Sequence, residues 1–106
     1  MKVAFATNDR KTIAQHTGRA KEFAVYELSA YEVINIEYYI NEQHDHNHWH
    51  SHKGIVEKLI GTDYLYALHL GKHFKEELEK VGIENEMAKE NDIMSVVKDF
   101  FEEEAE

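Results

Sequence analysis

Eight histidines and no cysteine set the chemistry open to this chain of 106 residues. Its metal donors are imidazole nitrogens and carboxylate oxygens. With no thiolate available, an iron-sulfur centre bound here must bring its own sulfide. Five of the histidines fall on alternate residues of QHDHNHWHSH, Gln43 to His52: His44, His46, His48, His50 and His52. In an extended backbone alternate side chains share a side about 6 to 7 Å apart, so neighbouring imidazoles could converge on one metal at about 2.0 to 2.1 Å. Nothing in the local sequence keeps that backbone extended, so the run describes a flexible multidentate surface, not a rigid site. Asp45 and Asn47 face the other way on this template, and Trp49 interrupts the polarity with one large ring. A purification tag would be terminal and consecutive, whereas this run is internal and alternating. The inert alternative is a solvated polar loop, because His-rich composition binds metal without specifying a physiological ligand. The role expected of His44 to His52 is metal acquisition.

The whole chain narrows the setting of that chemistry. Its length suits one domain, 1–106, with a single core. No apolar run approaches the roughly 18 residues of a membrane span, and Met1-Lys2-Val3 leads into a strand without the apolar segment of a signal peptide. A cytoplasmic chain is expected. A formal charge of −9, from 21 acids against 12 Lys and Arg, opposes non-specific binding to nucleic acid or to an anionic membrane. A cation or a protein is the expected partner. Glu102 to Glu106 (EEEAE) puts acids at the wrong end of a helix for its dipole, so residues 102–106 are expected to fray.

The elements that must position the histidines follow in order. Lys2 to Thr7 (KVAFAT) reads as a central strand, with Val3 and Phe5 on one face and Ala4 and Ala6 on the other. A long first loop, Asn8 to Lys21, contains His16 two residues before Gly18. Glu22 to Ser29 and Glu32 to Ile40 read as strands, the first with Phe23 and Val25 in step and the second with Ile34, Ile36, Tyr38 and Ile40 in step. Their short connection predicts an antiparallel hairpin, although it lacks Asn-Gly or Asp-Gly. Lys53 to Ile60 has helical spacing at Ile55, Val56, Leu59 and Ile60, with Gly61 as a C-terminal cap. Asp63 to Leu68 is a buried strand. Lys72 to Val81 is a helix with Phe74, Leu78 and Val81 on one stripe, closed by Gly82, and Ile83 to Met87 is a weak edge strand. Asn91 or Asp92 caps a last helix facing the core through Ile93, Val96, Val97, Phe100 and Phe101. This order implies a mixed sheet whose parallel strands are joined by right-handed helical crossovers.

Ligands of open α/β sheets bind outside the carboxyl ends of the parallel strands. His16 lies in the loop leaving the first strand, and His69 and His73 lie where the fourth strand gives way to a helix. All three are therefore expected at one edge. His69 and His73 are four apart and would share a face if both were helical, whereas a helix starting after His69 would separate them. The bland reading of His16 is a hydrogen bonder that anchors its loop. Lys72 and a helix N-terminus would suit an anionic cluster. Arg19 and Lys21 are candidates for the same anion or are simply solvated. Tyr26, Tyr38, Tyr39, Tyr64 and Tyr66 read as strand packing, not as a cofactor box.

The opening MKVAFATNDRKTIAQHTGRAKEFAVYEL resembles the dinitrogenase iron-molybdenum cofactor biosynthesis family, the NifX and NafY type domains. The family's pattern runs from a first strand through a short acidic loop to a His-Phe-Gly-x-Ala segment and an aromatic strand. A His-rich loop after the third strand is also common there. His16, Gly18, Ala20 and Phe23 stand at positions that look like the motif, and Thr17 replaces its usual Phe. The likeness covers nearly the whole chain in length and element order, while the specific motif is confined to about the first 28 residues. It implies a ribonuclease H-like three-layer fold with a five-stranded mixed sheet flanked by about three helices. It also implies binding or carriage of iron-sulfur-molybdenum cluster precursors, with Gly18 and Gly71 beside His16 in the cofactor site, where Arg19 is a candidate by its charge alone. The family's glycine-rich loop after the fourth strand is here Leu68-His69-Leu70-Gly71-Lys72-His73, with Gly71 alone remaining. That departure admits a different metal or ligand.

Three functions compete. The first is a non-catalytic carrier of an iron-sulfur or iron-molybdenum cluster, a cofactor-assembly accessory protein working with other assembly proteins and with His16 as terminal ligand. The second is a Zn, Ni or Cu buffer or metallochaperone acting through His44 to His52, in which affinity falls below a pH of roughly 6.5. The third, ranked last, is a metal-dependent ribonuclease H-like enzyme. Such enzymes hold Mg with several carboxylates, and Asp9 and Asp63 are the only candidates near strand ends. No basic nucleic-acid path, Ser or Cys nucleophile, or phosphate loop is present. The chain is expected not to be an enzyme. A weak edge strand leaves the oligomeric state open.

Overall fold

A computed structural model describes residues 1–41 and 53–104, so the expectations placed on His44, His46, His48, His50 and His52 lie outside the described residues. The elements are β1 (Lys2–Thr7), β2 (Glu22–Leu28), β3 (Val33–Ile40), α1 (Lys53–Lys58), β4 (Tyr64–Ala67), α2 (Lys72–Lys80), β5 (Glu84–Met87) and α3 (Ile93–Glu104). They form an α/β fold with one five-stranded mixed sheet in the order β3-β2-β1-β4-β5. The hairpin is antiparallel and places β2 against β1, while β4 and β5 run parallel to β1. Two antiparallel steps bring β3 back into the direction of β1. The C-terminal ends of β1, β3, β4 and β5 therefore share one edge.

The alternation read in β1 is the alternation found. Ala4 and Ala6 join Phe23, Val25, Leu65 and Ala67 under α1 and α2, where Ile55, Val56, Leu59, Phe74 and Leu78 complete one core. Val3 and Phe5 face the other way with Ala24, Tyr26 and Leu28, covered by Ile93, Val96 and Val97 of α3. Each large side chain fully buried in these layers contributes about 1.5–3 kcal/mol of transfer free energy. Ring pairs tie the layers to the sheet: Phe23 stacks on Phe74 at 5.9 Å, and Phe5 meets Tyr26 edge-on at 5.5 Å. The tyrosines pack as expected: Tyr26 is buried, Tyr38, Tyr64 and Tyr66 lie against the α3 layer, and Tyr39 lies against the other.

Two readings of the sequence need correction. Ile34, Ile36 and Ile40 alternate in step but are 58%, 38% and 65% exposed; β3 is an edge strand, and it is Val33 and Tyr38 that pack against the α3 core. Ile60 and Val81 fall off their helical stripes, since α1 ends at Lys58 and α2 at Lys80, leaving both side chains exposed. Helix α3 extends to Glu104, with its Phe100 and Phe101 against the sheet; residues 105–106 lie outside the described part. Asp92, not Asn91, caps α3: its carboxylate accepts the Ser95 N–H at 3.0 Å and the Ser95 hydroxyl at 2.9 Å. No helix among the described residues is long and apolar enough to cross a membrane.

The end of α2 shows why a glycine closes it. The Ile83 N–H donates to Leu78 O at 3.0 Å and the Gly82 N–H to Glu79 O at 3.1 Å, a Schellman closure that carries Ile83 into the core beside Leu78. Gly82 takes φ +81° to do so, and a Cβ there would touch nothing. Gly82→Ala should thus destabilise by about 1–2 kcal/mol through backbone strain alone. Gly71→Ala, at φ −68° and equally open, should leave the urea-unfolding midpoint unchanged.

Candidate functional site

Two loops meet at the C-terminal edge, and the first is built by its own short side chains. Thr7 Oγ1 donates to Thr12 O at 2.7 Å and accepts the Arg10 N–H at 2.8 Å. Asp9 Oδ1 accepts the N–H groups of Lys11 at 2.9 Å and Thr12 at 2.8 Å. Those backbone donors, with the Thr12 hydroxyl, hold the Asp9 carboxyl down at about 2. Arg10 turns through φ 65°, lies over the Tyr38 ring at 4.0 Å and pairs with Glu22 at 3.0 Å. The loop is also tied to the start of α3, through Ile13 N–H to Asn91 O at 2.7 Å and Ile93 N–H to Lys11 O at 3.0 Å.

With its first half fixed, the loop closes in a 3-10 turn, Thr17–Arg19, whose N-terminal flank is His16. Thr17 is 1% exposed, and its Oγ1 donates to the carbonyl of His69 at 2.6 Å while its N–H reaches the same oxygen at 3.3 Å. The two loops are latched there. The rings of His16 and His69 stand above the latch, both exposed, with centroids 5.6 Å apart and planes at 84°. From the other side Asn41, 2% exposed at the end of β3, donates to the carbonyls of Gly18 at 3.2 Å and Ala20 at 2.9 Å. The chain therefore enters the segment holding His44 to His52 from a point bonded to this turn.

The structure brings His16 and His69 together and separates His73 from the helical pairing considered for it. Helix α2 starts at Lys72, so His69 lies in the preceding loop, and the four-residue spacing does not put the two on one helical face. His73 is exposed in the first turn of α2. Gly71 is the N-cap of that helix and offers no side-chain hydrogen bond, which leaves the first-turn N–H groups facing the edge without a side-chain acceptor. Gly18 is half-buried with its carbonyl taken by Asn41, and Arg19 is exposed. Among the described residues no group of three or more His, Asp or Glu is arranged to hold a metal ion. Asp9 follows β1 and Asp63 precedes β4, where its carboxylate accepts the Lys2 N–H at 2.8 Å. Because β1 and β4 are parallel neighbours, these carboxylates sit at opposite ends of the sheet.

Sequence reasoning missed Thr17 and Asn41 as the residues that set this geometry. Thr17 carried a signal, since it departs from the usual Phe of the motif; Asn41 carried none beyond ending a strand.

The family model for the dinitrogenase iron-molybdenum cofactor matches residues 1–103. The chain belongs to that family. Similar solved structures share the fold at low identity. A candidate dinitrogenase from Methanocaldococcus jannaschii is 21% identical over 98% of this chain and 90% of its own, with a TM-score of 0.76. A candidate NifB protein from Thermotoga is 21% identical over 95% and 87%, at 0.74. The apo form of the orange protein from Desulfovibrio gigas is 18% identical over 97% and 88%, at 0.77. Among curated proteins none matches the chain.

The Asp9 carboxyl links this loop to pH. Its folded value of about 2 lies below the ordinary 3.8, so its stabilisation is full above 3.8 and is lost as pH falls through about 2. Asp9→Asn should flatten the acid limb of a urea-midpoint-against-pH curve across that window and leave its slope at neutral pH unchanged.

Proposed function

We propose that the domain is a non-catalytic carrier of an iron-sulfur or iron-molybdenum type cluster, serving a cofactor-assembly protein that receives the cargo. The observation that carries this reading is the exposed His16 beside His69 at the C-terminal edge, next to the open N-terminus of α2. An imidazole is an established terminal ligand for iron in sulfide clusters. The helix N-terminus with Lys72, and Arg19 on the opposing loop, complement an anionic body in an otherwise acidic chain. Family membership over residues 1–103 supports the same assignment. The donor set fits such a cargo better than a bare ion, because a cluster already coordinated by its own sulfide asks for one or two protein ligands, whereas a caged ion asks for three or four. An exposed site also suits cargo that is handed on. The ribonuclease H-like classification belongs to this proposal too, supported by the β3-β2-β1-β4-β5 order with β2 antiparallel.

A two-metal nuclease would need carboxylates on one metal, and Asp9 and Asp63 are held at opposite ends of the sheet by separate backbone bonds. The test is elemental analysis with acid-labile sulfide on untagged protein purified without oxygen. Iron or molybdenum with sulfide is expected in the native chain and should be lost in His16→Ala. Gly71→Ala should reduce it by adding a methyl group where a ligand would approach the helix end. Zn, Ni or Cu without sulfide, lost only when residues 44–52 are replaced by Gly and Ser, would assign the ion-buffer reading instead. No metal in any preparation would reject both.

A further inference from the structure

We propose that His69 is the second protein ligand of the centre held by His16, the two imidazoles taking one metal between them, with Thr17 as the positioning residue. The cargo rests on the carrier reading; the two-imidazole geometry does not. Two imidazoles bound to one tetrahedral metal at about 2.0–2.1 Å have ring centroids roughly 5 Å apart. The observed separation is 5.6 Å, so small side-chain rotations close the difference. Both rings are exposed, and among the described residues neither forms a hydrogen bond to another side chain.

What fixes the pair lies beneath it. A buried hydroxyl must find an acceptor, and Thr17 finds the His69 carbonyl with both its Oγ1 and its N–H. Thr17 is adjacent to His16, so this latch sets the backbone of one histidine against that of the other without engaging either ring. Asn41 then holds the turn from behind through the Gly18 and Ala20 carbonyls. The rings are left free to bind while their attachment points are not free to move apart. His73 takes no part, because its place in the first turn of α2 is not governed by the latch. Two protein donors leave the remaining coordination positions to sulfide or water, the open arrangement of a centre that exchanges.

The test uses the full chain with His44, His46, His48, His50 and His52 each replaced by Gln, freed of metal and titrated with Cu2+, a probe chosen because N-donor sites bind it most tightly among divalent first-row ions. Electron paramagnetic resonance then counts coordinated nitrogens. Two imidazoles are expected in this parent, and one in either His16→Ala or His69→Ala, with affinity lower by at least about tenfold. His73→Ala should match the parent. Thr17→Val should lose the two-nitrogen signal and Thr17→Ser should restore it. Urea midpoints of the variants report whether each is folded. A two-nitrogen signal that survives His69→Ala, or no imidazole signal in the folded parent, overturns the inference. If a sulfide-bearing cluster is lost in His16→Ala yet fully kept in His69→Ala, the inference fails while the carrier reading stands. A two-nitrogen Cu2+ site in a protein that never acquires sulfide does the reverse.

Discussion

Val3, Ala4, Phe5, Ala6 and Thr7 have no exposure to water, and every peptide group between them has to be paired inside the protein. That constraint governs the rest of the structure. It requires a strand on each side of β1, supplied by β2 in antiparallel and β4 in parallel register, and it requires apolar cover on both faces. The small Ala4 and Ala6 let α1 and α2 approach one face, while Phe5 fills the other against Tyr26 and Tyr66. Once β1 and β4 are parallel neighbours, the loops that leave them emerge together at one edge. The meeting of His16 with His69 is a consequence of how β1 is buried.

At that edge the strand contributes one more element. Thr7 is the last residue of β1, wholly buried, and its hydroxyl begins the chain of local hydrogen bonds that runs through Thr12 and Asp9 and stiffens the loop as far as its ties to α3. A loop rigid in its first half and latched at Thr17 in its second presents His16 from a fixed position. The acidity of the chain makes the local cations informative. Arg10 is committed to Glu22 and Tyr38, whereas Arg19, in the 3-10 turn, and Lys72, the first residue of α2, lie exposed, each three residues after one of the paired histidines. The open end of α2 at the same edge favours an anion.

The two departures from the family motif noted in the sequence meet in space. Thr17, where a Phe is usual, contacts the backbone of His69, which stands in the segment where glycines are usual. A phenyl ring cannot donate to a carbonyl, and a glycine brings no imidazole.

Residue alternation and spacing by themselves determined the two-faced burial of β1, the hairpin, the order of helices and strands and the glycine closing α2, while the family was legible only as a resemblance of the opening segment to a known motif. Those features depend on near neighbours in sequence, where side-chain direction repeats every two residues in a strand and every 3.6 in a helix. Tertiary structure alone decided that β3 lies at an edge with its isoleucines exposed, that His69 falls before α2 and not within it, that Asp9 and Asp63 are kept apart, and that Thr17 and Asn41 hold the site. Each of these turns on which strands pair and which carbonyl a distant side chain reaches. Thr17 and His69 are separated by 52 residues. No local period encodes such a bond; it exists because the buried sheet brings the two loops to the same place.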